Sequence, residues 1–275
     1  MLKSNSLAVH QSGDLFYIGF PKLEATGKIR VAFTTRMGGV SRGQYSSMNM
    51  STTNGDDINL VKENYRIICS ALGIDSKNVV LSHQTHTDNI RTVTEKDRGK
   101  GLYSERDYDN VDALITNIPG LALVTQFADC TPLLFFDHVK NVIANVHSGW
   151  RGTVKQIGAK AVKRMVEEFD CSPSDIIAAI GPCIGKCCYE VDTPVYSEFE
   201  KVAGFDLSAI FTQKSDDKYM LDLWEANRQI LINAGIKPEN IDVTDLCTHC
   251  HSEYFHSHRA TGGKRGNLAA IISLV

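Results

Sequence analysis

Two apolar runs, Leu121-Ala-Leu-Val-Thr125 and Asn141-Val-Ile-Ala-Asn-Val146, each lead into reactive side chains. The first continues to Ala128-Asp-Cys-Thr-Pro132, the second to His147-Ser-Gly-Trp-Arg-Gly152. Short apolar runs bounded by turn residues suit buried strands. They set a thiol at the end of one expected strand and an imidazole at the end of another. A glycine-containing turn with Arg151 follows, and then an amphipathic helix is expected over Thr153–Phe169, with Thr153 as its cap. The apolar positions Val154, Ile157, Ala161, Val162, Met165, Val166 and Phe169 mark its inner face.

Outward from this stretch, strands and helices mix without strict alternation. Arg30–Arg36 reads as a strand running into a glycine-rich polar loop, a length of loop that is usually functional or disordered. Its Asn, Ser and Gly residues suit hydrogen bonding to a ligand. Asp57–Leu72 reads as a helix stopped by Gly73, and Val79–Ser82 as a short strand leading to His83 and His86. Residues 97–110 read as an exposed polar loop, and Val111–Thr116 as a strand. Further strands are expected at Ile176–Gly181, Ile241–Val243 and Leu268–Val275. Helices are expected at Val195–Val202 and Leu221–Ala234, the latter capped by Asp222. The pattern fits a mixed-sheet α/β or α+β single domain over residues 1–275. No dinucleotide-binding or P-loop glycine motif is present.

The composition sets bounds. The chain has 275 residues, 43% hydrophobic and 22% charged, with 29 basic against 32 acidic side chains and a net charge of −3. That is an ordinary globular balance. With no basic stripe, nucleic acid is not an expected partner. With no apolar run near the roughly 20 residues of a membrane span, and no apolar core of a signal peptide at the N-terminus, a cytoplasmic location is expected. The eight cysteines then favour reduced thiols, metal ligands or a nucleophile over disulfides.

Three constellations carry chemistry. Cys130, His147 and either His83 or His86 make up the three protein ligands of a catalytic zinc, which keeps a fourth position open; each taken alone also reads as an ordinary buried or surface residue. Cys130 with His147 reads equally as a thiolate–imidazole pair. Cys247-Thr-His-Cys250-His251 reads as half a structural zinc site with Cys183–Cys188 as its partner, as thiols lining the same cleft, or as buried thiols near a turn. Arg36, Arg151 and Lys186 sit at Gly-containing turns and could form an anion site, because guanidinium groups bind phosphate with paired hydrogen bonds. Asn49, Asp56 and Asp112 are candidate contacts to sugar or base. Asp129 is the carboxylate nearest Cys130 in sequence, but in an extended strand it would point away from it.

These residues carry a resemblance. Thr34-Thr-Arg-Met-Gly-Gly-Val-Ser41, Ser47-Met-Asn49, Gly55-Asp56, Gln84-Thr-His86, Ala128-Asp-Cys-Thr-Pro132, His147-Ser-Gly-Trp-Arg-Gly152, Gly181-Pro-Cys-Ile184 and Tyr189-Glu-Val191 resemble the motifs of the YfiH/YlmD-like family. Its members are known as laccase-domain or polyphenol oxidase proteins and as purine nucleoside phosphorylases. The resemblance implies a layered sandwich of mixed β-sheets flanked by helices, with zinc ligands at His86, Cys130 and His147. It also implies phosphorolysis of adenosine, inosine and S-methyl-5'-thioadenosine to base and sugar 1-phosphate, with adenosine deamination as a companion reaction. The expected partners are thus purine nucleosides and phosphate, and a homodimer stays open. The chain departs from the family's C-terminal Thr-Gly-Arg-Met: Arg265-Gly-Asn-Leu268 puts Asn267 at the usual arginine, so Arg265 is the candidate replacement.

Three other readings compete. A copper-dependent polyphenol oxidase would need several His-x-His pairs, and only His249-Cys-His251 and His256-Ser-His258 occur among nine histidines. A lone Cu²⁺ could still replace zinc, since it binds nitrogen sites more tightly. A metal-free cysteine hydrolase would use Cys130 and His147. A binding or scaffold protein would use the metal for stability alone.

Overall fold

Alternation along the strands decides how the layers form. In Ala122–Phe127, Leu123 and Phe127 face one way while Ala122 and Val124 face the other, and all four are buried. A strand buried on both faces must lie between two layers. The structure, a computed structural model, describes residues 2–275. Its first sheet runs Ala8–Ser12, Leu15–Gly19, Ile29–Thr34, Leu268–Leu274, Ala122–Phe127, Val79–Leu81 in spatial order. The C-terminal strand lies inside this sheet, antiparallel to both neighbours, which is why it is uniformly apolar apart from Ser273.

The second sheet runs Ile241–Val243, Ile176–Ile180, Thr131–Asp137, Val142–Ser148, Ala113–Thr116, Ile90–Thr92. Its outermost pairs are parallel and its inner pairs antiparallel. Both sheets are therefore mixed, the first through its parallel Val79–Leu81 edge. They pack face to face through Phe33, Leu123 and Phe127 on one side and Leu134, Phe136 and Ile143 on the other. The outer face of the first sheet is covered by the helix Ile58–Leu72, which buries Val61, Tyr65, Ile68 and Leu72. Asp57 caps that helix by accepting from the Asn59 amide, and Gly73 ends it at φ 69°. The outer face of the second sheet carries the helices Ile157–Phe169 and Leu223–Asn233 through Ala161, Met165 and Leu231. Each fully buried Leu, Ile, Val or Phe contributes about 1.5–3 kcal/mol. A small third sheet, Glu190–Asp192, Lys218–Leu221 and Phe211–Ser215, packs with the helix Thr193–Glu200. The result is a layered sandwich of mixed β-sheets flanked by helices. Among the described residues no helix is long and apolar enough to cross a membrane.

Asn145 belongs to an apolar run, yet it is fully buried on the face between the sheets. Its Nδ2 donates to the carbonyls of Leu123 and Ala270 at 2.9 Å each, and its Oδ1 accepts from Thr125 Oγ1. The side chain satisfies backbone groups of the opposite sheet and sets the spacing of the two sheets where His147 emerges two residues later.

Three expectations are corrected. The single helix over Thr153–Phe169 is two helices, Trp150–Val154 and Ile157–Phe169, separated by Gln156 at φ 56°. Thr153 does not cap the longer one. It is buried within the short one, where Thr153 Oγ1 donates to the Gly149 carbonyl, contacts Ser148 Oγ at 3.0 Å and accepts from Asn227 Nδ2. This polar cluster orients the short helix independently. Residues 97–110 are an exposed loop only in part: Tyr103, Ser104, Glu105, Asp107, Asp109 and Asn110 are exposed, but Leu102 and Tyr108 are buried, and Asp97 is 1% exposed. Burial would raise the Asp97 carboxyl, but Lys100, the Thr94 amide and Arg91 hold it well below the usual carboxylate range. Asp129 does not lie in an extended strand; it occupies a bend at φ 84°.

Candidate metal centre and its cavity

The connections between the two sheets deliver the reactive groups. Cys130 lies in the bend that carries the chain from Ala122–Phe127 of the first sheet to Thr131–Asp137 of the second. His86 lies between Val79–Leu81 of the first and Ile90–Thr92 of the second. His147 ends Val142–Ser148, on the face toward the first sheet, 5.4 Å from the Phe127 ring. The three donor atoms all lie within 4.8 Å of one another, with His147 buried, Cys130 half-buried and His86 exposed. His86 Nε2 is 3.7 Å from Cys130 Sγ, and the two imidazoles meet edge-on at 4.9 Å and 79°.

Asp112, fully buried, orders two of these three donors. Its carboxylate accepts from the amides of Thr85, His86 and Thr87 and from Thr87 Oγ1, all at 2.8–3.1 Å. That clamp holds the turn in which His86 takes φ 63°. The same carboxylate meets His147 Nδ1 at 2.8 Å, which leaves Nε2 of His147 for the cavity side. Gln84 pins the turn from the other end. It donates to the Gln126 carbonyl and accepts from the Gln126 amide and from Ser82 Oγ. His83 is not part of the triangle: it borders the cavity while its Nδ1 meets Asp109 at 3.0 Å.

Asp129 supports Cys130 from behind. Its two oxygens accept from Thr248 Oγ1 at 2.6 Å, Ser257 Oγ at 3.0 Å and the Arg259 amide at 2.7 Å. Three donors from residues 248–259 thus fix the backbone that presents the thiol. Burial alone would raise the Cys130 thiol, but the His147 charge and hydrogen bonds from both histidines bring it down to about 6. Burial would likewise lower His147, and the Cys130 thiolate with Asp112 raises it to about 9. Asp112 is lowered to about 2 by the same contacts, against its own burial.

The donor set fits a zinc-type ion. A nitrogen at about 2.05 Å and a sulfur at about 2.3 Å on a tetrahedral ion lie roughly 3.5 Å apart, close to the His86–Cys130 separation. Gly149 makes the space: a Cβ there would stand 3.0 Å from both Cys130 Sγ and His86 Cδ2. One imidazole is already tied to a carboxylate, the usual arrangement behind a metal-binding histidine.

A cavity with two lobes opens over the triangle, and His86, Cys130 and Arg265 border both lobes. The polar lobe, about 240 Å³, is walled by Ser82, Gln84, Arg106, Gln126 and Asn267. The more apolar lobe, about 360 Å³, is walled by Trp150, Arg151, Ile184, Tyr189, His258 and Arg259. Arg151 stacks over Trp150 at 4.3 Å. Arg265 Nη2 is 3.4 Å from His258 Nδ1, while its buried Nε has no partner.

The other residues expected at the site line neither lobe. Arg36 donates to the carbonyls of Ser46 and Ser252, so its guanidinium fastens the 37–57 loop and touches neither lobe. Lys186 donates to the Ala209 carbonyl. Asn49 is fully buried, bonded to Asn54, Asp56, Ser51 and the Asn267 amide. Asp56 serves Asn49 and the Asp57 amide. Asp112 is committed to His147 and residues 85–87, which corrects its reading as a sugar or base contact. The reason is common to all five: at each position the polar groups are taken up by the protein's own backbone and side chains. The aromatic lobe, with Trp150 and Tyr189, and the polar wall of Gln84 and Gln126 were not identified from the sequence. The signals for Gln84, Trp150 and Tyr189 were the motifs that contain them, Gln84-Thr-His86, His147-Ser-Gly-Trp-Arg-Gly152 and Tyr189-Glu-Val191.

Comparison with known proteins places this arrangement. A family model described as multi-copper polyphenol oxidoreductase laccase matches residues 30–275. The chain is 38% identical over 252 residues to purine nucleoside phosphorylase YlmD of Bacillus subtilis, covering 90% of this chain and 89% of the relative. It is 33% identical over 238 residues to adenosine deaminase RL5 from an unknown prokaryotic organism, covering 86% and 90%. The crystal structure of hypothetical protein YfiH of Bacillus licheniformis superposes with a TM-score of 0.92 at 33% identity, covering 98% of this chain and all of that one.

Proposed function

The chain belongs to the YfiH/YlmD-like, laccase-domain family, and from that premise and the His86–Cys130–His147 triangle we propose that it is a zinc-dependent purine nucleoside phosphorylase. Its substrates are adenosine, inosine and S-methyl-5'-thioadenosine, and adenosine deamination accompanies the main reaction. The observation that carries this reading is a three-donor site facing a cavity that offers both a flat aromatic wall and the guanidinium groups of Arg151 and Arg265, the latter also donating through Nη1 to the Gly266 carbonyl and Asn267 Oδ1. The name of the Bacillus subtilis relative supports it, and the name of RL5 supports the companion activity.

The chain's own residues divide the work. His86, Cys130 and His147 would hold the ion, which would supply Lewis acidity to the reaction. Asp112 is a positioning residue: it keeps Nδ1 of His147 protonated and fixes the turn of His86. Trp150 and Tyr189 receive the purine face. Arg265, whose buried Nε is otherwise unpaired, grips phosphate with Arg151, setting the nucleophile beside the sugar as positive charge develops on the ring. Arg265 thus takes over from the arginine that Asn267 replaces. His258 is the proton carrier for deamination, because both oxygens of the neighbouring Asp129 are already engaged.

Copper chemistry of the multi-copper kind has little to stand on. Among the described residues, two groups of three or more ligating side chains converge, the triangle and a cluster of four cysteines. Neither includes His249, His251, His256 or His258. A single copper could occupy the triangle. The deciding experiment incubates the purified protein with adenosine, with and without phosphate. Adenine and ribose 1-phosphate should form together and only with phosphate, and inosine formation reports deamination. Adenine release that ignores phosphate would sink the phosphorylase reading. Full turnover after complete chelation would favour a cysteine hydrolase built on Cys130 and His147.

A further inference from the structure

A second group of soft ligands lies outside the machinery described so far. Cys187, Cys188, Cys247 and Cys250 place four Sγ atoms within 4.8 Å of one another. Cys250 Sγ is 3.5 Å from that of Cys187 and 3.4 Å from that of Cys188, and all four are free thiols. Four sulfurs at about 2.3 Å from one tetrahedral ion would stand roughly 3.8 Å apart. The spacing already approaches that of a coordination shell.

The backbone around them is shaped to present sulfur. Residues 185–188 form a tight turn, with the Cys188 and Tyr189 amides donating to the Gly185 carbonyl at 2.9 and 3.0 Å. That turn brings two consecutive cysteines to the same side. The opposing turn is a Cys-x-x-Cys loop in which Cys247 Sγ accepts from the Cys250 amide at 3.5 Å and from the Gly185 amide at 3.2 Å. The two turns are joined by a parallel backbone β-bridge pairing residues 183 and 247 and by the Thr248 amide on the Cys183 carbonyl. Gly185 allows the approach, since a Cβ there would stand 3.2 Å from Cys247 Cβ and 3.0 Å from the Trp224 ring.

We propose that Cys187, Cys188, Cys247 and Cys250 bind one zinc ion as a closed tetrathiolate that holds one wall of the cavity. Four thiolates complete the shell of this soft-accepting ion and leave no position for substrate, so the site is structural. Its place in the fold gives it a task. The 183–189 turn carries Ile184 and Tyr189 into the aromatic lobe, and the 247–259 segment carries His258 and Arg259 there. Thr248, next to Cys247, also holds Asp129, the neighbour of Cys130. Clipping the two turns together would therefore steady both the purine wall and the backbone behind the first metal site.

The test counts metal in the full-length protein by native mass spectrometry and elemental analysis, on protein purified under reducing conditions without added metal. The double substitution Cys187→Ser/Cys250→Ser should lose one zinc per chain and keep the ion of the triangle. His86→Ala should lose the other and keep this one, so failure of either site is read separately. The double variant should also unfold at lower temperature and show a several-fold higher KM for nucleoside with a smaller change in kcat. On the unmodified chain, cobalt(II) reconstitution should give the charge-transfer absorption of a tetrahedral cobalt thiolate, and the four thiols should resist alkylation until a strong chelator is added. An unchanged metal count in the double variant overturns the proposal. So does immediate alkylation of all four thiols without chelator, or a disulfide between Cys250 and Cys187 or Cys188 in their place.

Discussion

The triangle of His86, Cys130 and His147 and the cluster of Cys187, Cys188, Cys247 and Cys250 are the two places where ligating atoms converge among the described residues, and they are built in opposite ways. The triangle draws single residues from two connections and one strand end at the seam of two sheets. It is ordered by a buried carboxylate, and it stops at three donors where a cavity begins. The cluster draws pairs from two short turns and closes with four sulfurs, those of Cys187 and Cys250 exposed and that of Cys247 buried. An open shell can take part in chemistry, whereas a closed one can only hold turns together. The difference lies in where the donors come from. Sheet edges fix isolated side chains rigidly, so a site can remain incomplete without collapsing. Two adjacent turns have little else to hold them, so they gain most from a saturated ion.

Predictions that would break this contrast can be ranked by size. We expect Cys130→Ser and His147→Ala to reduce phosphorolysis to background and to lose the triangle's metal, while the cluster's zinc stays, as read by elemental analysis. If either variant kept both metal and turnover, the triangle would not be the catalytic site. Asp112→Asn keeps the shape of the side chain but loses the charge behind His147. It should weaken metal binding at the triangle by about 10–100-fold, measured by competition with a chromophoric chelator, with an unchanged far-ultraviolet circular dichroism spectrum.

Next in size, Arg265→Ala should raise the KM for phosphate by about 10–100-fold, the worth of a charge-assisted hydrogen bond of roughly 1.5–3 kcal/mol, with a smaller change in KM for nucleoside. Equal changes in both would place the phosphate elsewhere. The smallest effects belong to two matched glycines. Gly149→Ala puts a methyl 3.0 Å from Cys130 Sγ and His86 Cδ2, and should lower metal affinity and activity together. Gly185→Ala crowds Cys247 and Trp224. It should shift the melting temperature by a few degrees, about 2–4 °C per kcal/mol lost for a chain of this size, and leave kcat nearly intact. A larger loss of kcat from Gly185→Ala than from Gly149→Ala would reverse the assignment of the open and closed sites.

Much of this was visible in the residues. The helix Ile58–Leu72 with its Gly73 stop, the Leu223–Asn233 helix capped by Asp222, and the buried C-terminal strand follow from periodicity and capping chemistry. The strand Thr131–Asp137 was hidden because Asp-Cys-Thr-Pro reads as turn chemistry and proline is rare in central strands. The helix break at Gln156 was equally hidden, since no glycine or proline marks it and its φ of 56° is held by packing around it. Asp97 and its neighbours looked solvated because their charges pair with one another, a cancellation that composition does not reveal.

The linear chain was enough to name the reactive residues, since a thiol, imidazoles and guanidinium groups owe their chemistry to their own atoms, and motif spacing carried them to a family. What each polar group does depended on which partner it meets across the fold. Asp112 stands 26 residues from His86 and 35 from His147, yet it bonds to both. Asp129 is spent on residues 248–259, and Arg36 on the carbonyls of a loop. Hydrogen bonds are short-ranged, and each polar group has a limited number of them to make. Only the packed arrangement of the two sheets therefore separates the groups left free to act from those consumed in holding them.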